Sequence, residues 1–177
     1  LNIQTKEVID TASSKWNFIK YFPGFVGGHC VAVDPLYFSF KQKKLKIRSY
    51  LVDAADKINE TKHLEVINQL KIKLSNLRNK KILILGATFK ENCPDLRNSG
   101  VIKLLESLNK KKAKLFIHDP FIKKNTLKNE TKSKFVTLNR LQSSDYDCVI
   151  IAVAHSYYKK IGLDKIKKIS SKKSCLF

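Results

Sequence analysis

Two unbroken apolar runs, Ile82-Leu83-Ile84-Leu85 and Cys148-Val149-Ile150-Ile151-Ala152-Val153, dictate most of what the second half of this chain can become. Neither alternates apolar with polar residues, so each needs cover on both faces, the condition of a strand inside a parallel sheet. Leu115-Phe116-Ile117-His118 is a third run, ending in Asp119-Pro120, and Phe135-Val136 reads as a short further strand. Between the first run and Leu115 lies 99–110, where Val101, Leu104, Leu105 and Leu108 fall on one helical face. A helix near Asp164 to Ile169 leads into the start of another strand at Cys175. Strand and helix in repeated alternation predict an α/β domain, a Rossmann-like parallel sheet in three layers.

The first half follows other rules. Residues 1–15 read as a short helix with apolar Leu1, Ile3, Val8 and Ile9. Residues 16–38 crowd Trp16, Phe18, Phe22, Phe25, Tyr37 and Phe38 around Pro23-Gly24, Gly27-Gly28 and Asp34-Pro35. No period of 3.6 or 2 runs through them, so the expectation is an ordered loop with a short helix after Pro35. Backbone polar groups outside regular ladders still need partners, and binding sites are the commonest reason for such a loop. From Arg48 to Leu74 the pattern turns helical, with Leu51, Ala54, Ala55, Ile58, Leu64, Ile67, Leu70 and Leu74 as an apolar stripe. A helix of roughly 40 Å is long for a globular domain and suits a link between two bodies or a second subunit.

The carboxyl end of the first strand is where such sheets bind ligands. A dinucleotide fingerprint would place GxGxxG there, but Gly86-Ala87-Thr88-Phe89-Lys90 carries one glycine. Asp119 stands where a ribose-binding acid would lie, and a turn-forming role before Pro120 is the preferred reading. The stretch 88–99 brings Lys90 and Arg97 to this edge, one a point charge and one a two-pronged donor for phosphate. An alternative is that Asp95 and Arg97 merely pin the loop. Ser99 reads as a helix cap.

Composition narrows the function classes. The net charge is +20, from 35 Lys+Arg against 15 Asp+Glu. The lysines are spread from Lys6 to Lys173 without interleaved aromatic platforms, which argues against nucleic acid and leaves a field that attracts anionic substrates. No apolar run approaches the roughly 20 residues of a membrane span, and no signal-peptide pattern opens the chain. The four cysteines, Cys30, Cys93, Cys148 and Cys175, lack metal-site spacing, so no metal is expected and a reduced, cytoplasmic setting is. A first residue Leu1, the absence of methionine and a strand start at Cys175 lead to the expectation of a fragment.

PGFVGGHCVAVDPLYF (23–38), ATFKENCPDLRNS (87–99), HDP (118–120) and CVIIAVAH (148–155) occur in one order that resembles the UDP-glucose/GDP-mannose dehydrogenase family. Lys15-Trp16-Asn17-Phe18 adds a likeness to its branch that oxidises UDP-N-acetylhexosamines for surface polysaccharides. The resemblance implies that 1–78 is the end of a central helical dimerisation region carrying the catalytic loop. It implies that 79–177 is a UDP-sugar-binding Rossmann-like domain cut short at its end. The NAD-binding domain, an upstream catalytic Lys and Asn, and a final substrate-binding Arg would lie outside the chain.

The same resemblance implies roles. Cys30 is the catalytic thiolate and Asp34 the carboxylate beside it that handles water. Gly27, Gly28, Phe89 and Lys90 contact the UDP-sugar substrate, Arg97 approaches the cofactor NAD, and the enzyme is a homodimer. The reaction oxidises a C6 alcohol to a carboxylate, with a Cys thiohemiacetal and thioester on the way. Cysteine suits that chemistry through its nucleophilic thiolate, and the glycines let a sugar approach the backbone. Asp34 shares a side with Cys30 if the segment turns helically. His29 is expected in the site wall, His155 as packing or a cap, and Cys93, Cys148 and Cys175 as structural. Two alternatives stay open: a sugar-nucleotide-binding remnant without catalysis, and a basic interaction module.

Overall fold

The structure is a computed structural model that describes residues 3–127, 133–137 and 146–176. Helices α1 (Thr5–Ala12), α2 (Asp34–Lys44) and α3 (Tyr50–Leu74) come first. Then follow β1 (Lys81–Leu85), α4 (Gly100–Lys110), β2 (Lys114–His118), α5 (Lys124–Leu127) and β3 (Lys134–Phe135). The described chain closes with β4 (Tyr146–Ile151), α6 (Ser156–Ile161), α7 (Leu163–Ile169) and β5 (Ser170–Leu176). The sheet runs β3-β2-β1-β4-β5 and every pairing is parallel. Ile82 of β1 sits between Leu115 of β2 and Cys148 of β4, so the central strand is the most apolar one.

Side chains alternate across a strand, and the two faces of β1 feed two cores. Ile82 and Ile84, with Leu115, Ile117, Cys148 and Ile150, pack under Val101, Leu104, Leu105 and Leu108 of α4 and Ile67 and Leu70 of α3. Leu83 and Leu85, with Val149, pack under Tyr158 of α6 and Ile166 and Ile169 of α7. The unbroken apolar runs thus end as the middle of three layers. Ser99 caps α4 as its sequence position predicts, its Oγ accepting from Val101 N–H at 3.3 Å and donating to Ala87 O at 2.8 Å.

The long helix forms where expected, yet its stripe divides. Ile67 and Leu70 are buried, whereas Leu51 is 89% exposed and Ile58 and Leu64 also face outward. Only the carboxyl half of α3 reaches the sheet. The aromatic segment ahead of α2 is irregular, as its sequence requires, and Trp16, Tyr21 and Phe22 are exposed. The helix after it begins at Asp34 and runs to Lys44, with Ser39 Oγ donating to Asp53 Oδ1 of α3. Helix α6 was not legible, because SYYKKI is one and a half turns with no apolar period. Leu1 and the side chain of Cys175 lie outside the described part. No described helix is long and apolar enough to cross a membrane.

Leu104 is fully buried between α3 and the sheet. Leu104→Ala should therefore cost about 2–5 kcal/mol in urea unfolding, from lost transfer energy plus the cavity.

Candidate functional site: two loops at the carboxyl edge of β1

Gly86 ends β1 at φ +86°, and a Cβ there would lie 2.6 Å from Val153 Cβ, so glycine lets the first turn press against the end of β4. The next two amides, Ala87 N–H and Thr88 N–H, donate to Asp119 Oδ2 at 2.7 and 3.4 Å. Asp119 Oδ1 accepts from Phe121 N–H at 2.8 Å, which is the turn role expected of it. The amides that would cradle a dinucleotide phosphate beside β1 are therefore filled by the chain's own carboxylate. These residues do not fit NAD at this edge.

The loop that follows is held along its length. Thr88 Oγ1 donates to Lys90 O at 2.9 Å. Phe89 N–H donates to Asp95 O at 3.1 Å. Asn92 N–H donates to His155 Nδ1 at 2.8 Å, and the Asn92 side chain exchanges two hydrogen bonds with Ser156. Arg97 grips Asp95 through Nε at 3.1 and 3.0 Å and a terminal nitrogen at 2.6 Å. Hydrogen bonds from Arg97 hold the Asp95 carboxyl down at about 2. This contact matches the loop-pinning alternative for the pair, although the Arg97 side chain remains largely exposed.

The cysteine loop docks on this one. Asn59 of α3 accepts from Val26 N–H at 3.0 Å and donates to Val26 O at 2.9 Å, replacing the ladder that an isolated segment lacks. Asn98 Nδ2 donates to Gly28 O at 3.1 Å. Gly28 is buried at φ +90°, and a Cβ on it would meet the Phe89 ring at 2.8 Å. A Cβ on Gly27 would meet Asn98 O at 2.6 Å. Both glycines are thus demanded by the approach of the two loops. Cys30 follows, exposed, its carbonyl accepting from Val33 N–H at 2.9 Å and Asp34 N–H at 2.8 Å. The chain does turn helically from Cys30 to Asp34, the first residue of α2.

The predicted site residues fall into groups. Gly27, Gly28 and Phe89 are in mutual contact, Lys90 Nζ lies 5.3 Å from the Phe89 ring centroid, and His29 meets that ring edge-on at 6.4 Å. Cys30 and Asp34 continue from Gly28 along the chain. Arg97 is held in its ion pair with Asp95 and lines a cleft of about 450 Å³ bounded by the cysteine loop, α3 and α4. Cys148 is buried in the sheet and Cys93 is half-buried, in keeping with structural roles. Asn59, Asn98 and the full role of His155 were missed, since each acts on a segment 33 or more residues away.

Behind the edge, Tyr158 Oη donates to His118 O at 2.7 Å and accepts from His118 Nδ1–H at 3.0 Å. Burial pushes the His118 pKa below its ordinary 6.5, against the pull of the Asp119 carboxylate. Burial likewise raises the Tyr158 hydroxyl.

A parallel, doubly covered sheet with two interlocked loops at its carboxyl edge defines a Rossmann-like ligand-binding domain. Residues 83–177 match the UDP-glucose/GDP-mannose dehydrogenase family, UDP binding domain, and residues 1–61 match the same family's central domain. The chain belongs to the UDP-glucose/GDP-mannose dehydrogenase family. It is 36% identical to a UDP-N-acetyl-D-glucosamine 6-dehydrogenase of Salmonella typhi, covering 100% of this chain and 42% of that protein. A protein of the same description from Pseudomonas aeruginosa is 32% identical, with the same coverage of both chains. In fold, it superposes on an NDP-N-acetyl-D-galactosaminuronic acid dehydrogenase from Methanosarcina mazei Go1 with a TM-score of 0.78 at 21% identity, over 94% of this chain and 38% of that one. The chain spans about two-fifths of the length of these curated relatives.

The lowered His118 pKa gives a pH dependence. Below pH 6.5 the unfolded chain takes up a proton that the folded chain resists, so this contribution is full above 6.5 and is lost on acidification. Urea unfolding should show stability falling from pH 7 to 5, by at most about 1.4 kcal/mol per pH unit for one proton. His118→Asn should flatten that slope.

Proposed function

We propose that this chain is the part of an NAD-dependent nucleotide-sugar 6-dehydrogenase that binds the UDP-sugar and supplies the nucleophile. The observation that supports the reading is the close packing of Gly28, two residues before Cys30, against the ring of Phe89, the neighbour of Lys90, in a chain whose residues 83–177 match a UDP binding domain. Lys90 would meet the diphosphate as a point charge. Gly27 and Gly28 would meet the sugar through backbone atoms, since Asn98 and Phe89 take up their Cβ faces.

The chemistry assigned to these residues is covalent. Sγ of Cys30, as thiolate, adds to a C6 aldehyde and forms a thiohemiacetal. Conversion of that thiohemiacetal to a thioester would need an acceptor for a hydride and a proton, a role that NAD would fill if bound by residues other than those at the β1 edge. Water, oriented by Asp34, then opens the thioester to the carboxylate and returns the thiol. Exposure of Cys30 and the helical turn to Asp34 support both roles. The Asp119 contacts after β1 put no dinucleotide cradle here, which supports a second reading in which these 177 residues bind the sugar nucleotide without turnover. The Salmonella and Pseudomonas relatives favour a UDP-N-acetylhexosamine, as do Lys15-Trp16-Asn17-Phe18 and Gly27-Gly28-His29-Cys30. The outward-facing Leu51, Ile58 and Leu64 of α3 support a homodimer.

Calorimetric titration with UDP-N-acetylglucosamine, UDP-N-acetylgalactosamine and UDP-glucose tests the ligand class. Saturable binding is expected, tightest for an N-acetylated sugar, weakening at least about tenfold in Lys90→Ala as a charge-assisted contact goes. Absence of binding by the folded chain, or an unaffected Lys90→Ala variant, contradicts it. Light scattering should give twice the 20.3 kDa chain mass, and a monomer at all concentrations would remove the dimer.

A further inference from the structure

We infer that His155 is the positioning residue for both loops of the proposed site, acting through Nδ1 on the Asn92 amide. Its functional consequence rests on the UDP-sugar reading, whereas its structural part does not. His155 follows β4, ahead of α6, and is wholly buried. Because Nδ1 accepts from Asn92 N–H at 2.8 Å, the neutral ring carries its proton on Nε2. Nε2 lies 3.2 Å from both Asp119 Oδ2 and Thr88 Oγ1. The Thr88 hydroxyl proton is already committed to Lys90 O, so both oxygens act as acceptors for Nε2–H. Asp119 therefore fixes the tautomer, and the tautomer makes Nδ1 an acceptor.

Thr88 and Asn92, the two loop residues that His155 touches, bracket Phe89 and Lys90. Asn92 sits at φ +55°, in a turn whose amide takes Nδ1 as its partner in a part-buried hydrogen bond. From Phe89 the hold passes to Gly28, which packs so close to the ring that an added Cβ would lie 2.8 Å from it, and Cys30 is two residues on. A buried imidazole at the end of β4 thus sets the height of the platform and, through it, the place of the thiol.

Two substitutions split the ring's functions. His155→Asn keeps an acceptor oxygen near the Nδ1 position, while His155→Gln keeps a polar group only near Nε2. In His155→Gln the Asn92 and Phe89 amides should exchange with solvent about tenfold faster, as one part-buried hydrogen bond is lost, while Leu83 and Ile84 amides of β1 stay protected. Affinity for UDP-N-acetylglucosamine should fall by a similar factor, and His155→Asn should restore both. Unchanged exchange in His155→Gln, or equal loss in both variants, overturns the inference. Nitrogen NMR of the wild-type ring decides it even if a variant fails to fold, because a proton on Nδ1 would overturn it and one on Nε2 supports it. If the wild-type chain binds no UDP-sugar, the proposed function falls while exchange and tautomer still decide the positioning role.

Discussion

Ala87 N–H and Thr88 N–H emerge from β1 into a region where both residues are fully buried, and buried donors without acceptors are costly. Asp119, at the end of the neighbouring strand, accepts from both and from the His155 ring. A carboxylate in so dry a place is tolerable only with such a set of donors around it. Strands β1, β2 and β4 are joined at their carboxyl ends by this one group, and the shape of the loop 88–99 depends on it. The same arrangement that closes the β1 edge to a dinucleotide phosphate fixes the loop carrying Phe89 and Lys90.

The second constraint is steric. Gly27, Gly28 and Gly100 sit where any Cβ would strike Asn98, Phe89 or Phe25 within 2.8 Å. The cysteine loop is therefore set against the sheet by three missing side chains, and Asn59 and Asn98 satisfy its backbone where no ladder does. Rigid elements below and interlocked loops above hold the two loops in one fixed relation. The excess of positive charge adds attraction for anions in general without building the site.

The layers were legible because unbroken apolar strands admit few architectures, and Ser99 was legible as a cap because capping is local. Asp119 before Pro120 is legible as a turn former, which it is through Phe121, but its hold on the β1 loop exists only in the tertiary fold. His155, Asn59 and Asn98 were illegible for the same reason, since each bonds a backbone group far along the chain. Leu51 and Ile58 show the opposite failure. Their spacing matches that of Ile67 and Leu70, and periodicity cannot say which half of a long helix meets the sheet. The motif that carries Cys30 puts it in a glycine-flanked loop, and the geometry supplies the reason for the glycines: the Asn98 carbonyl at Gly27 and the Phe89 ring at Gly28.

Isotope-labelled chain titrated with UDP-N-acetylglucosamine and followed by amide resonances would test most directly whether the two loops form one ligand site. Saturating shifts concentrated on Gly27, Gly28, Cys30, Phe89 and Lys90, with β3 and α7 unmoved, are the expected result. Saturating shifts confined to another face of the sheet, or none in a folded chain, would contradict it.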